Sequence, residues 1–146
     1  MARVIFAQPV SDPAQSESID PVRRMLEAYQ AGANERALAF LHPDVQYDTT
    51  VRPDGRVWRG REAVRRAMAE WTEAWEGYEM SVDGYLEAAP DRVVVLWSER
   101  GRAKGSGIPQ AQSGLTVFTV RDGLIVEMVP RLDREATLEA LGLGRG

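Results

Sequence analysis

Three runs of strand-forming residues between Arg92 and Leu132 constrain this chain more than any other stretch. Arg92–Arg100 is dense in β-branched and aromatic residues, Ser113–Arg121 follows, and Leu124–Val129 comes after only Asp122-Gly123. Both central residues of a type I′ turn need φ > 0, so Asp-Gly between two such runs predicts a two-residue β-hairpin. Three long strands in succession imply an antiparallel sheet. Helices upstream must cover one of its faces, and the space between sheet and helices is the expected functional site.

Those helices are visible as apolar periodicity. Asp20-Pro21 predicts a helix start, with an N-cap followed by proline at the first helical position. Val22, Met25, Leu26 and Tyr29 then recur at i, i+3, i+4 and i+7, one buried face, and Gly32 ends the run. Asn34 opens a short second helix, with Leu38 and Leu41 inward and His42-Pro43 as its stop. Val45–Val51 alternates as a strand, Pro53-Asp54-Gly55 turns the chain, and Val57-Trp58 returns it. From Gly60 a third helix is expected to about Trp75, with Val64, Ala67, Met68, Trp71 and Trp75 as its apolar stripe. Glu62 and Arg66 are spaced for an ion pair within it, and Gly77 closes it. A strand from Tyr78 to about Leu86 follows. Asp133 caps a last helix with Leu138 and Leu141 inward and Gly142 as its stop.

The fold class is therefore α+β, with a curved, mainly antiparallel sheet. Residues 1–18 carry Pro9, Pro13 and the apolar patch Val4-Ile5-Phe6. They are expected to form a flexible N-terminal arm, the alternative being an arm that packs on a neighbouring subunit. Residues 19–146 form one domain.

Composition narrows the chemistry. A net charge of −4 lacks the basic footprint of a nucleic-acid binder. With no cysteine there is no disulfide, thiolate nucleophile or Cys-ligated metal. His42 is the only histidine, so one chain cannot assemble a multi-histidine metal site or a Ser-His-Asp triad. No metal and no cofactor are expected. No apolar run approaches the ~20 residues of a membrane helix, so no membrane partner is expected and the default location is cytoplasmic.

Five stretches carry a resemblance. Ala28-Tyr29-Gln30-Ala31-Gly32, Phe40-Leu41-His42-Pro43-Asp44-Val45, Trp58-Arg59-Gly60-Arg61-Glu62-Ala63-Val64, Arg121-Asp122-Gly123-Leu124-Ile125 and Asp133-Arg134-Glu135-Ala136 resemble, in this order, the landmarks of the nuclear-transport-factor-2-like superfamily. The chain is most similar to its SnoaL-like group, over about Pro21 to Leu141. The resemblance implies a cone: a bent sheet wrapped around helices, the cystatin-like α+β roll, with an apolar pocket at its open end. That superfamily holds isomerases, cyclases, epoxide hydrolases and members without chemistry, so fold alone does not fix activity.

Aligning these landmarks puts Tyr47, Arg100, Thr116, Phe118, Met128 and Pro130 on the pocket wall, facing Leu26, Tyr29, Met68 and Trp71 of the helices. Tyr47 and Arg100 are the best catalytic candidates, because members resembling limonene epoxide hydrolase use a tyrosine and an arginine there. The two aspartates of that chemistry are replaced by Arg102 and Pro130, and the tyrosine's asparagine partner by Thr49. The positions matching the groups of ketosteroid isomerase are Thr49, Met25 and Thr116, which supply neither its carboxylate nor its donors. Gly101–Gly107 is expected to be a hairpin at the pocket mouth.

The expectation is a pocket for a small, largely apolar organic ligand, the alternative being a cofactor-independent isomerase, cyclase or epoxide-hydrolase-type enzyme. By strand parity, Val93, Val95 and Trp97, with Leu115 and Val117, form an outward apolar patch. Such patches mark interfaces, so a homodimer packed through the outer sheet face is expected.

Overall fold

The computed structural model describes residues 3–5 and 13–143. Its elements, in chain order, are β1 (Arg3–Ile5), α1 (Pro13–Gln30), α2 (Asn34–Leu38), β2 (Leu41–Asp48), β3 (Val57–Arg59) and α3 (Arg61–Glu73). They continue with β4 (Trp75–Ala89), β5 (Arg92–Ala103), β6 (Pro109–Arg121), β7 (Leu124–Arg131) and α4 (Arg134–Ala140). The strands form one sheet in the order β1-β4-β5-β6-β7-β2-β3. Every pairing is antiparallel except β2 with β7. The sheet bends around α1 and α3, giving the expected α+β roll.

The β6–β7 hairpin turns on Asp122 at φ 52° and Gly123 at φ 77°, the geometry a type I′ turn demands. The end of α1 is equally local in origin. Gly32 at φ 75° lets Gly32 N–H donate to Tyr29 O and Ala33 N–H donate to Ala28 O. These are the two bonds of a Schellman motif. Leu143 N–H and Gly142 N–H repeat the pattern on Leu138 O and Glu139 O after α4. Asp133 accepts from Ala136 N–H at 2.9 Å as the N-cap of that helix.

Element boundaries differ from expectation where packing outweighs local signals. α1 begins at Pro13, and Pro21 lies inside it rather than opening it. An interior proline costs roughly 3 kcal/mol. Here the turn before it is packed, with Ser18 and Ile19 buried. Of residues 1–18, Arg3–Ile5 pair with Tyr85–Glu87 at the sheet edge and the last six belong to α1. Phe6 and Pro9 lie outside the described residues. Leu41 opens β2 rather than closing a helix, and β2 ends at Asp48. Glu62 pairs with Arg65, at i+3, and not with Arg66.

Two bulges in β4 shape the inner face. Gly77 and Tyr78 together oppose the single residue Gly101, and Gly77 sits at φ 64°. Gly77 therefore builds a bulge instead of ending α3, which stops at Glu73. Trp75, expected on α3, is the first residue of β4. Asp83 is the second extra residue, set against the Val82–Trp97 and Gly84–Leu96 pairs. Each bulge reverses the alternation. Trp75, Tyr78, Met80, Val82 and Tyr85 consequently all turn toward the helices, joining the main core or the aromatic group beside it.

That core lies between the sheet and α1, α2 and α3, around Val22, Met25, Val64, Val93, Val95 and Ile125. A second, smaller cluster occupies the outer face of the sheet. There Leu86, Val94 and Leu115 are buried beneath Leu138, Leu141 and Leu143. The outer patch thus differs from the expected one: Val93, Val95 and Trp97 point inward. Their outward neighbours are covered by the chain's own C-terminal helix. Of the expected patch, Leu115 and Val117 do face outward, Leu115 buried and Val117 half-buried in this outer cluster. Among the described residues, no helix is long and apolar enough to cross a membrane.

Candidate functional site

A cavity of about 80 Å³ opens between α1, α3 and the inner face of the sheet. By the space one water needs, it accommodates several waters. Its walls include eight of the nine expected ligand-facing residues. Leu26 and Tyr29 come from α1, Met68 and Trp71 from α3, and Tyr47, Thr116, Phe118 and Met128 from β2, β6 and β7, with Pro130 beside them. The register explains the last group: Phe118 opposes Met128, Thr116 opposes Pro130, and Tyr47 lies beside Met128.

Arg100 is the exception. Its side chain is 74% exposed and pairs with Glu79 directly across the strands, Nη2 lying 2.8 Å from Oε2. Opposed residues of an antiparallel pair share a face. Val95 opposes Thr116 and Glu99 opposes Gln112. Once Thr116 faces the cavity, Trp97 and Glu99 must do so too, and Arg100 must face outward. The best catalytic candidate besides Tyr47 is thus a surface residue. None of Gly101 to Gly107, at the end of the β5–β6 hairpin, lines the cavity.

Glu99 takes the place assigned to Arg100. It is only 5% exposed, on a wall otherwise mostly apolar. Its Oε2 accepts from Trp71 Nε1 at 3.1 Å and from Tyr78 Oη at 2.6 Å, while Oε1 accepts from Gln112 Nε2. Tyr29 Oη donates in turn to Tyr78 Oη at 3.0 Å. Three secondary-structure elements therefore converge on one carboxylate. The bulge at Gly77 makes this possible by aiming Tyr78 inward. Gly101 opposite it leaves the room, because a Cβ there would sit 2.9 Å from the Trp75 ring.

Both tyrosines of this hydrogen-bonded relay are held neutral. Burial raises the Tyr78 pKa well above its ordinary value, and Tyr29 and Glu99 beside it push the same way. Burial likewise raises Tyr29, only partly offset by its bond to Tyr78. They serve as fixed donors, not as bases. Trp71, Trp75 and Tyr78 stack edge to face behind them, with centroid separations of 5.7 and 5.3 Å.

Arg52 supplies the cavity's cationic group. It comes from the turn after β2, and its guanidinium carbon lies 3.9 Å from the Trp71 ring centroid. The turn is held by Thr49, whose buried hydroxyl donates to Arg56 O and accepts from Arg56 N–H and Trp58 Nε1. Thr49 is thus a strut of this turn. Thr116 has a similar local task, accepting from Trp97 Nε1 at 2.9 Å. Met25, with Thr49 and Thr116 one of the three positions compared with ketosteroid isomerase, is an apolar wall residue. Among the described residues, no three His, Cys, Asp or Glu side chains come together to hold a metal ion.

Sequence reasoning missed Glu99, Arg52, Tyr78, Met80 and Trp97. The alternation of Tyr78, Met80 and Val82 did signal one inward face, but nothing local marks a turn arginine as folding back.

Residues 22–128 match the family model described as a SnoaL-like domain. No curated protein matches the chain in sequence. Among solved structures, it is similar to TerC, crystallised with polyporic acid, at TM-score 0.70 and 21% identity over 87% of this chain and 99% of that one. RV0760c from Mycobacterium tuberculosis, in complex with estradiol-17beta-hemisuccinate, gives TM-score 0.65 and 21% identity over 80% and 94%. A cystatin-like protein of unknown function from Xanthomonas campestris gives 0.69 and 25% over 88% and 99%.

Proposed function

Because the chain belongs to the SnoaL-like domain family, we propose that its cone binds a small, largely apolar organic molecule whose hydroxyl or acidic C–H meets Glu99. The observation that carries this reading is the buried Glu99 carboxylate on an apolar wall. A carboxylate accepts at about four lone-pair sites, and three are taken by Trp71, Tyr78 and Gln112. The free site on Oε1 suits one donor from a ligand. Apolar walls with a few fixed polar groups are the usual make-up of small-ligand pockets. The complexes of TerC and RV0760c with ring compounds are consistent with this. A ligand larger than the cavity would displace Met68, Met80 or Met128, whose unbranched side chains adapt readily.

A thermal-shift screen of aromatic alcohols such as 2-naphthol tests it. A ligand at a hundred times its Kd adds about 2.7 kcal/mol to stability and raises the melting temperature by several degrees. The rise should shrink in Glu99→Gln. No rise with any phenol or naphthol refutes the reading.

Glu99 also favours an enzymatic reading, since a carboxylate within hydrogen-bond reach of a bound carbon acid can act as its base. In that reading Glu99 removes the proton, and the neutral Tyr29–Tyr78 pair holds the carboxylate in place. The epoxide-hydrolase alternative lacks its second carboxylate, with Arg102 and Pro130 at the aspartate positions. Incubating 2-tetralone with the protein in D2O separates catalysis from binding. Accelerated deuterium uptake at its α-carbons, lost in Glu99→Gln, supports catalysis; the uncatalysed rate leaves a binding protein.

A further inference from the structure

Among the described residues the Arg52 guanidinium makes no ion pair and no hydrogen bond within the fold, and its charge meets only the face of Trp71. Its backbone is fixed on both sides, because Arg52 N–H donates to Thr49 O at 3.0 Å and Gly55 N–H donates to Arg52 O at 2.9 Å. The turn is so tight that a Cβ on Gly55 would overlap Thr49 O. The side chain leaves this rigid turn and lies over the Trp71 ring, inside the cavity lining. Its Nε is buried and has no hydrogen-bond partner. Buried donors are nearly always paired, so an unpaired one requires an explanation. Among the described residues Arg52 forms no ion pair with Glu99, although both sit on the same indole. Arg52 covers the ring and Glu99 accepts from its Nε1 edge.

We infer that Arg52 is the cavity's second recognition point, and that the ligand is a hydroxy-carbonyl compound which presents a donor to Glu99 and an anionic or carbonyl oxygen to Arg52. The inference rests on the small-molecule reading above and adds the chemical class. An arginine stacked on an aromatic ring keeps its in-plane N–H donors free for an oxygen. The surrounding apolar walls strengthen such a contact by lowering the local dielectric. Trp71 spaces the two charged groups, so a ligand bridging them satisfies both without forcing them into direct contact. A purely apolar ligand would leave the Arg52 donor unpaired, which selects against it.

The test compares four naphthalenes by isothermal titration calorimetry: 2-naphthol, 2-naphthoate, 3-hydroxy-2-naphthoate and 6-hydroxy-2-naphthoate. They carry the donor alone, the acid alone, or both at two spacings. With the native protein, at least one hydroxynaphthoate should bind tenfold or more tightly than 2-naphthol. In Arg52→Met that ratio should fall to about one, and in Arg52→Lys, which keeps the charge but lacks the fork, to an intermediate value. Should Arg52→Met fail to fold, the lysine variant alone decides by whether the ratio falls. No preference in the native protein, or a preference that survives substitution, overturns the role of Arg52 while 2-naphthol binding leaves the pocket reading standing. Failure of all four to bind overturns both.

Discussion

Replacing Glu99 by leucine and by glutamine separates what its carboxylate does for the fold from what its charge does. Glu99→Leu would leave Trp71 Nε1 and Tyr78 Oη without the acceptor they share. Each buried donor stripped of its partner costs about 1–3 kcal/mol. Tyr78 could recover part of this by donating to Tyr29, and Gln112 is only half-buried and can turn to water. Removing a buried charge also returns some desolvation free energy. The net loss expected for Glu99→Leu is therefore about 2–4 kcal/mol. Glu99→Gln would keep a carbonyl oxygen for the same two donors, and the Gln112 amide could flip to face the new NH2. It exchanges three charge-assisted bonds for neutral ones, a loss of about 1 kcal/mol per bond that is partly offset because no charge is buried, leaving about 1–2 kcal/mol in all. Urea unfolding followed by tryptophan fluorescence reads both. With a slope of about 1–3 kcal/mol per molar, the leucine variant's midpoint should fall by roughly 1–2 M and the glutamine variant's by about half that. A leucine variant as stable as the native protein would show that the carboxylate is a net burden and that its donors do not depend on it.

Other substitutions test the sheet's outer face and the buried tyrosines. Arg100→Met removes an exposed pair worth at most about 1 kcal/mol, so melting temperature and 2-naphthol affinity should barely change; a lost affinity would put Arg100 back in the site. Arg134 donates to Asp83 Oδ2, Trp97 O and Gly114 O, fastening α4 over the outer cluster. At about one-third exposure, Arg134→Met should cost roughly 2–3 kcal/mol and speed hydrogen exchange at residues 138–143, and unchanged exchange there would refute the strut. Tyr29, Tyr78 and Tyr85 all have pKa values raised by burial. The folded chain holds these protons after the unfolded chain releases them, so the three tyrosines' contribution to stability is constant below about pH 10 and falls above it. Absorbance at 295 nm should then show these three ionising only with unfolding, and reversible titration near pH 10 in the folded protein would contradict their burial.

Much of the fold was legible because its signals are local. Asp122-Gly123, Gly32, Asp133 and Gly142 each fix a turn or cap through their own backbone chemistry, and the helix stripes follow from periodicity. What local signals could not report is packing. The turn before Pro21 stays helical because Ile19 is buried, and Gly77 looks the same in a sequence whether it ends a helix or makes a bulge. The turn arginine Arg52 reaches the cavity only through a tertiary stack on Trp71.

The candidate site turned on a single register. Side chains alternate along a strand, so a shift of one residue exchanges the entire inner and outer sets. Gly101, Gly105 and Gly107 allow the β5–β6 hairpin to close at several places, and closures one residue apart reverse the parity of β5 relative to β6. The observed closure joins Ala103 N–H to Ile108 O and pairs odd-numbered residues of β5 with even-numbered residues of β6. Thr116 and Arg100 then cannot share a face. Composition offers one guide to the correct choice. With Val93, Val95 and Trp97 inward, the large side chains fill the core, and the price is one buried carboxylate, Glu99. With Leu96, Ser98 and Arg100 inward, the core would hold a smaller set and an unpaired cation. A buried carboxylate whose acceptor sites are met by Trp71, Tyr78 and Gln112 is the tolerable one, and those three donors lie on three different elements, where no motif in the sequence could have joined them.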